Sequence, residues 1–156
     1  MTYKEKIEKA KEGKITIKYD LLESDNIVGL YKFFKVKGNE RYCFYIGKAT
    51  NVAARLLRAS KGHIYMYLQK DYSRLVPEEI RKAINDGYEI EVEIENKEEE
   101  YKDIEFSRAA HRLALAELQE IIKYQEKGQC LLQTPEGVGK NEKEFWEQKY
   151  KINSEE

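Results

Sequence analysis

A chain of 156 residues, 41% hydrophobic and 37% charged, can fill one core of ordinary domain size, and a mean hydropathy of -0.78 excludes a membrane-embedded protein. Net charge is -1, yet from Ile27 to Lys70 nine basic residues face the single acid Glu40, while Asp86 to Glu105 holds ten acids against Lys97 and Lys102. A basic stretch of that density suits a polyanion, with a solvated mixed surface as the alternative.

The first residues, Met1-Thr2-Tyr3-Lys4-Glu5, show no apolar signal segment, and no run approaches the roughly 20 residues that span a bilayer. A cytoplasmic chain is expected, without membrane contact, in which Cys43 and Cys130 are reduced and act as small buried hydrophobes. Residues 3–12 read as a charged helix stopped at Gly13, and Lys14–Tyr19 alternates as a strand does. Ile27–Val36 and Tyr42–Ile46, separated by Gly38-Asn39, read as a β-hairpin. Thr50 or Asn51 can cap a helix running to Arg58. Further helices are expected at 63–70 and 77–85, the latter with Pro77 in its first turn and Gly87 beyond its end.

Tyr88, Ile90, Val92 and Ile94 alternate with Glu89, Glu91, Glu93 and Glu95, a half-exposed strand whose acids face solvent and do not form a metal site. A long helix follows from about Asp103 to Lys127, and a terminal helix at Asn141–Lys151 contains Trp146. The order predicts an α/β (α+β) fold: a small, mainly antiparallel three-stranded sheet flanked by helices. One domain spans 1–156, with a core at about 27–133, an N-terminal helix-strand extension at 1–26 and a tail at 134–156. The extension and tail are candidates for recognition or oligomer contacts.

Two features point to chemistry. On the long helix Phe106, Ala110, Leu113, Ile121 and Tyr124 all lie within about 40° of Glu117 at helical spacing. A carboxylate in an apolar stripe needs a metal or a basic partner, so Glu117 is either a buried structural ion pair or a functional ligand. The hairpin carries Gly29-Leu30-Tyr31 and Tyr45-Ile46-Gly47. The tyrosines can be plain packing residues, but glycines near strand ends mark close approach of a backbone or a ligand. Lys48 and a helix start follow Gly47, and Arg55 lies one turn on, which outlines a phosphate site with Arg58 beyond it. Gly137-Val138-Gly139-Lys140 lacks the spacing and the preceding strand of a phosphate loop.

Taken in order, Gly29-Leu30-Tyr31, Tyr45-Ile46-Gly47-Lys48-Ala49-Thr50-Asn51, Arg55 eight residues after Gly47, Lys61-Gly62-His63 and Ala116-Glu117 resemble the GIY-YIG endonuclease superfamily over roughly residues 27–133. Its homing, phage-type or restriction-like members are the nearest in pattern. Many members place an asparagine after the glutamate helix, where this chain has Leu131-Leu132-Gln133, so Gln133 or Asn141 takes that role or it is missing. The resemblance implies hydrolysis of DNA phosphodiesters, with double-stranded DNA as substrate and Mg²⁺ (or Mn²⁺) held by Glu117. It implies that Tyr31 assists deprotonation of water, that Arg55 stabilises phosphate, and that Tyr45, Lys48 and His63 orient water or phosphate. Gly29, Gly47, Arg58 and Gln133 complete the implied substrate contacts.

His63 has an ordinary surface or capping role as its alternative, and His111 is read as structural. A phenol of pKa about 10 is a poor base at neutral pH, so Tyr31 requires nearby cations to lower it or a metal to share the task. Tyr31 and Tyr45 share a face only if the hairpin register is even; a two-residue Gly38-Asn39 turn would place them on opposite faces. The competing readings are a structure-specific DNA repair nuclease and a DNA-binding or regulatory module without catalysis. A single active site per chain makes a homo-oligomer the expected route to cutting both strands.

Overall fold

A computed structural model describes residues 1–21 and 26–151, except the side chain of Lys151. The parts of the extension and tail at 22–25 and 152–156 lie outside the described residues. The elements are α1 (Tyr3–Glu12), β1 (Ile15–Ile17), β2 (Gly29–Lys37), β3 (Glu40–Ala49), α2 (Val52–Leu57), α3 (His63–Leu68), α4 (Leu75–Asn85), β4 (Glu89–Asn96), α5 (Glu98–Tyr101), α6 (Phe106–Gln125) and α7 (Lys140–Trp146), with a π-helical turn at Glu147–Lys151. Among the described residues no helix is long and apolar enough to cross a membrane.

The sheet has four strands in the order β1-β4-β2-β3, not three. The strand of the N-terminal extension joins it, pairing parallel to β4 from Ile15–Ile90 to Ile17–Val92, while β4, β2 and β3 are antiparallel. The α1 and β1 of this extension are therefore packed into the core through Ala10 and Ile15. Thr2 and Glu5 form a capping box that starts α1. The buried Lys6 ammonium donates to the Leu57 carbonyl at 2.7 Å and lies over the Tyr65 ring, fastening α1 to the end of α2 and to α3.

Helices cover both faces. One face packs Tyr31, Phe33, Phe44 and Val92 against α1 to α4, with Leu56, Ile64, Val76 and Ile80 filling the layer. The other packs Leu30 and Phe34 beneath α6 through Leu113, Ile121 and Tyr124. The helical stripe holds from Ala110 to Tyr124, but Phe106, the first residue of α6, is 73% exposed. Several helix bounds differ from those expected: α3 ends at Leu68, α4 begins two residues before Pro77, α6 runs only from Phe106, capped by Glu105, to Gln125, and α7 gives way to the π-helical turn after Trp146.

The hairpin turn is Gly38-Asn39, two residues long, yet Tyr31 and Tyr45 lie on the same face. The pairing passes from Phe34–Cys43 to Phe33–Tyr45, so Phe44 is an extra residue, a β-bulge that restores the parity the turn would have broken. Phe44 and Tyr45 consequently both pack toward the α1–α4 side, whereas Cys43 and Ile46 face α6.

The two charge blocks partly neutralise each other. Arg41 on β3 reaches across to Glu91 and, at 2.8 Å, to Glu93 on β4. Lys32, buried beneath α6, is 2.6 Å from Glu120 and 3.9 Å from Glu95. The β4 acids thus serve as cross-strand partners, as well as facing solvent. Among the described residues Lys35, Lys37, Lys48, Arg55, Arg58, Lys61 and Lys70 are in no ion pair, so the basic surface that remains is carried by the hairpin end of β2, the end of β3, α2 and the segments around α3.

Candidate active site

A cleft of about 690 Å³ opens where the outer edge of β3 meets α6 and the loop after it. Tyr31, Tyr45, Gly47, Lys48 and Arg55 line one side, Ala114, Glu117, Leu118, Ile121, Ile122 and Gln125 the α6 side, and Gln133 to Glu136 the rim. Five residues singled out in the sequence, Tyr31, Tyr45, Lys48, Arg55 and Glu117, therefore converge on one cavity from β2, β3, α2 and α6.

The glycines explain how the phenol gets there. Tyr31 is paired across the ladder with Gly47, and a Cβ built on Gly47 would meet its Cζ and Oη at 2.3 Å. Only the missing side chain lets the ring lie over β3 and reach the cleft. Gly62 permits a similarly close passage, since a Cβ there would stand 2.7 Å from the Leu56 carbonyl oxygen and the Arg58 amide. That tight return from α2 starts α3 directly below the phenol. Gly29 is different: its Cβ would meet the Glu95 carbonyl oxygen at 2.2 Å, so it admits the β4 backbone and does not line the cleft.

His63, the first residue of α3, is buried, with Nε2 3.0 Å from the Tyr31 phenol oxygen. That placement removes its surface or capping alternative. Arg55 Nε donates to the same phenol oxygen at 3.4 Å. The phenol oxygen accepts from Arg55, and whether it donates to His63 Nε2 or accepts from it depends on the His63 tautomer. Burial, with Arg55 and Arg74 nearby, lowers the His63 pKa to about 3, so its imidazole is neutral and able to accept. Tyr45 stacks on Tyr31 with ring centroids 6.3 Å apart.

Electrostatics decide between the two routes expected for Tyr31. Nearby cations do not lower the pKa of Tyr31: burial dominates and pushes it well above its ordinary value, Tyr45 and Glu117 add to the rise, and Arg55 offsets only part. Burial also raises Tyr45 and Glu117, the latter opposed by the Lys48 side chain and amide and reinforced by Glu136. Glu120 behaves differently, its carboxylate being lowered by the hydrogen bond from Lys32 despite burial. The carboxylate on the polar edge is thus the architectural ion pair, and the one in the stripe faces the cleft.

Part of the start of α2 is already engaged within the fold. Val52 N donates to the Ile27 carbonyl at 2.9 Å and Ala54 N to the Asn51 side chain at 3.0 Å, which leaves those two amides unavailable to an anion. Positive charge in the cleft comes from Lys48 and Arg55 alone among the described residues lining it. Arg58 caps the end of α2, exposed and outside that lining. Asn141 is exposed on α7, also away from the lining. His111 is exposed and bonds the Ser107 carbonyl through Nδ1, a local helix contact as expected.

Gln133 lines the cleft, but its amide is fully engaged. Oε1 accepts from Ile46 N at 2.8 Å and Nε2 donates to Ile46 O at 2.7 Å, pairing the free edge of β3 between Tyr45 and Gly47. Its place is structural support for the two residues that flank it. Glu136 and the apolar wall of Leu118, Ile122 and Pro135 were not anticipated, because they lie between motifs or in the tail.

Among the described residues no three His, Cys, Asp or Glu side chains form a metal-binding group. The donor chemistry of the cleft, one half-buried carboxylate with a second acid at the rim, fits a hard divalent ion that keeps most of its waters. It does not fit an ion that needs a closed nitrogen or sulfur cage. No protein-family model, curated protein or solved structure matches this chain.

Proposed function

We propose that this protein is a metal-dependent endonuclease that hydrolyses phosphodiester bonds of DNA, as its resemblance to the GIY-YIG superfamily implies. The observation that carries this reading is the convergence of Tyr31, Tyr45, Lys48, Arg55 and Glu117 on one cleft, with His63 bonded to the Tyr31 phenol.

Phosphodiester hydrolysis requires a positioned water, neutralised phosphate oxygens and a stabilised leaving oxygen. Arg55, which is in no ion pair among the described residues, and Lys48 would receive the non-bridging oxygens. Glu117 would hold Mg²⁺ (or Mn²⁺), which would supply further charge neutralisation and acidify a coordinated water. Tyr31 would take a proton from the attacking water while passing its own to His63 Nε2. Neither group is basic enough alone: the phenolate is disfavoured by burial, and the imidazolium by burial and two arginines. The pair needs only a concerted shift, and the negative phosphate beside Arg55 offsets the charge that appears on the imidazole. A cation on Glu117 would also cancel that residue's contribution to the raised Tyr31 pKa.

Nicking of supercoiled plasmid in Mg²⁺ tests the reading. Wild-type protein should nick, Arg55→Ala should lose activity, and Tyr31→Phe should fall by about 100-fold or more, the usual scale for proton transfer. Equal nicking by all three proteins would refute it. Duplex specificity and cutting by a pair of chains belong to the same proposal.

A further inference from the structure

Cys43 and Cys130 are 87 residues apart in sequence, yet their sulfurs lie 3.4 Å apart, both buried where the edge of β3 meets the loop after α6. Their backbones are bound together as well. Cys130 N donates to Cys43 O at 3.0 Å, and Cys43 N donates to the Gln129 side chain at 2.7 Å. Cys130 adopts a φ of 55°, a left-handed conformation uncommon outside glycine, as the loop turns its thiol inward. Reaching the ~2.05 Å of a disulfide takes a closing shift of roughly 1.3 Å, within the range of small side-chain rotations.

We propose that Cys43 and Cys130 are a thiol–disulfide modification site, forming a reversible internal disulfide that fastens the rim of the cleft to the strand carrying Tyr45. The oxidant is a low-molecular-weight disulfide. One protein thiolate attacks it, forming a mixed disulfide and releasing one half as thiolate. The second protein thiolate then attacks the protein sulfur of that mixed disulfide and expels the other half. Two protein thiols become one disulfide, and the small disulfide is reduced to two thiols. Access would be through the loop after α6: lifting it breaks the Cys130 N–Cys43 O and Cys43 N–Gln129 hydrogen bonds on the outer edge of β3 and leaves the β2–β3 ladder in place. Gln133 and Glu136 follow three and six residues later, so the cross-link restrains the rim directly.

The full chain, incubated folded with oxidised glutathione, should lose both titratable thiols and a mass of two hydrogens. It should yield a Cys43–Cys130 linked peptide, carry no glutathione adduct, and return to two thiols with dithiothreitol. Amides of residues 129–136 should exchange more slowly in the oxidised form. Cys43→Ala and Cys130→Ala should each give no internal link. Two persistent thiols, or one glutathione on each cysteine, in the folded wild-type chain would overturn the proposal, and that readout needs neither variant nor DNA cleavage.

Discussion

Tyr31 and Gly47 face each other across the β2–β3 ladder, and the phenol occupies the space that a Gly47 side chain would fill, with its oxygen 2.3 Å from an ideal Cβ. The second glycine of the paired motifs is thereby tied to the first tyrosine. Gly47→Ala should displace the phenol and cost about 1–3 kcal/mol, the usual scale for overpacking. Denaturant unfolding of Gly47→Ala, Tyr31→Ala and the double variant should show strong non-additivity, with Tyr31→Ala relieving most of the Gly47→Ala penalty. Additive losses would mean that the two residues do not compete for one space.

His63 sets a pH dependence. Its pKa lies near 3 in the folded chain against 6.5 ordinarily. Between these values the unfolded chain binds a proton that the folded chain refuses. Stability from this group is therefore full above about pH 6.5 and falls as pH drops, by up to roughly 1.4 kcal/mol per unit. Unfolding free energies of wild type and His63→Gln, compared from about pH 7.5 to pH 5, should converge or cross as pH falls, because the variant lacks this term. A pH-independent difference would contradict a buried neutral imidazole.

Gln133 completes the β3 edge with two hydrogen bonds to Ile46. Gln133→Ala should cost about 1–3 kcal/mol, since it leaves both Ile46 backbone groups without that partner. Amide exchange of Ile46 should accelerate while Ile80 of α4, on the opposite face, keeps its protection. Unchanged exchange at Ile46 would remove the supporting role assigned to Gln133.

Much of this arrangement was legible because some residues strain their local pattern. Glu117 stood out as a carboxylate in an apolar stripe, and Gly47 as a glycine at a strand end. The residues that define the site were read from those signals and from motif order. Their geometry was harder to foresee. The bulge at Phe44 decides which face Tyr45 takes, yet it changes neither composition nor alternation enough to be seen, so turn length alone gave the wrong parity. The parallel pairing of Ile15–Ile17 with β4 brings together segments 75 residues apart, and no local preference encodes it. The meeting of Cys43 with Cys130 and the arrival of Glu136 at the rim likewise depend on how α6 lies on the sheet. The raised pKa of Tyr31 follows from burial, which the charges of neighbouring residues could not reveal.

Glu117 is the residue on which the nuclease proposal turns, because it faces the cleft while Glu120 serves Lys32. Plasmid nicking and DNA binding should be measured together for wild type, Glu117→Ala and His111→Ala in Mg²⁺, with and without a chelator. The proposal predicts that Glu117→Ala binds DNA within a few-fold of wild type but does not nick, that chelation stops the wild type, and that His111→Ala nicks normally. Undiminished nicking by Glu117→Ala in Mg²⁺ would contradict it.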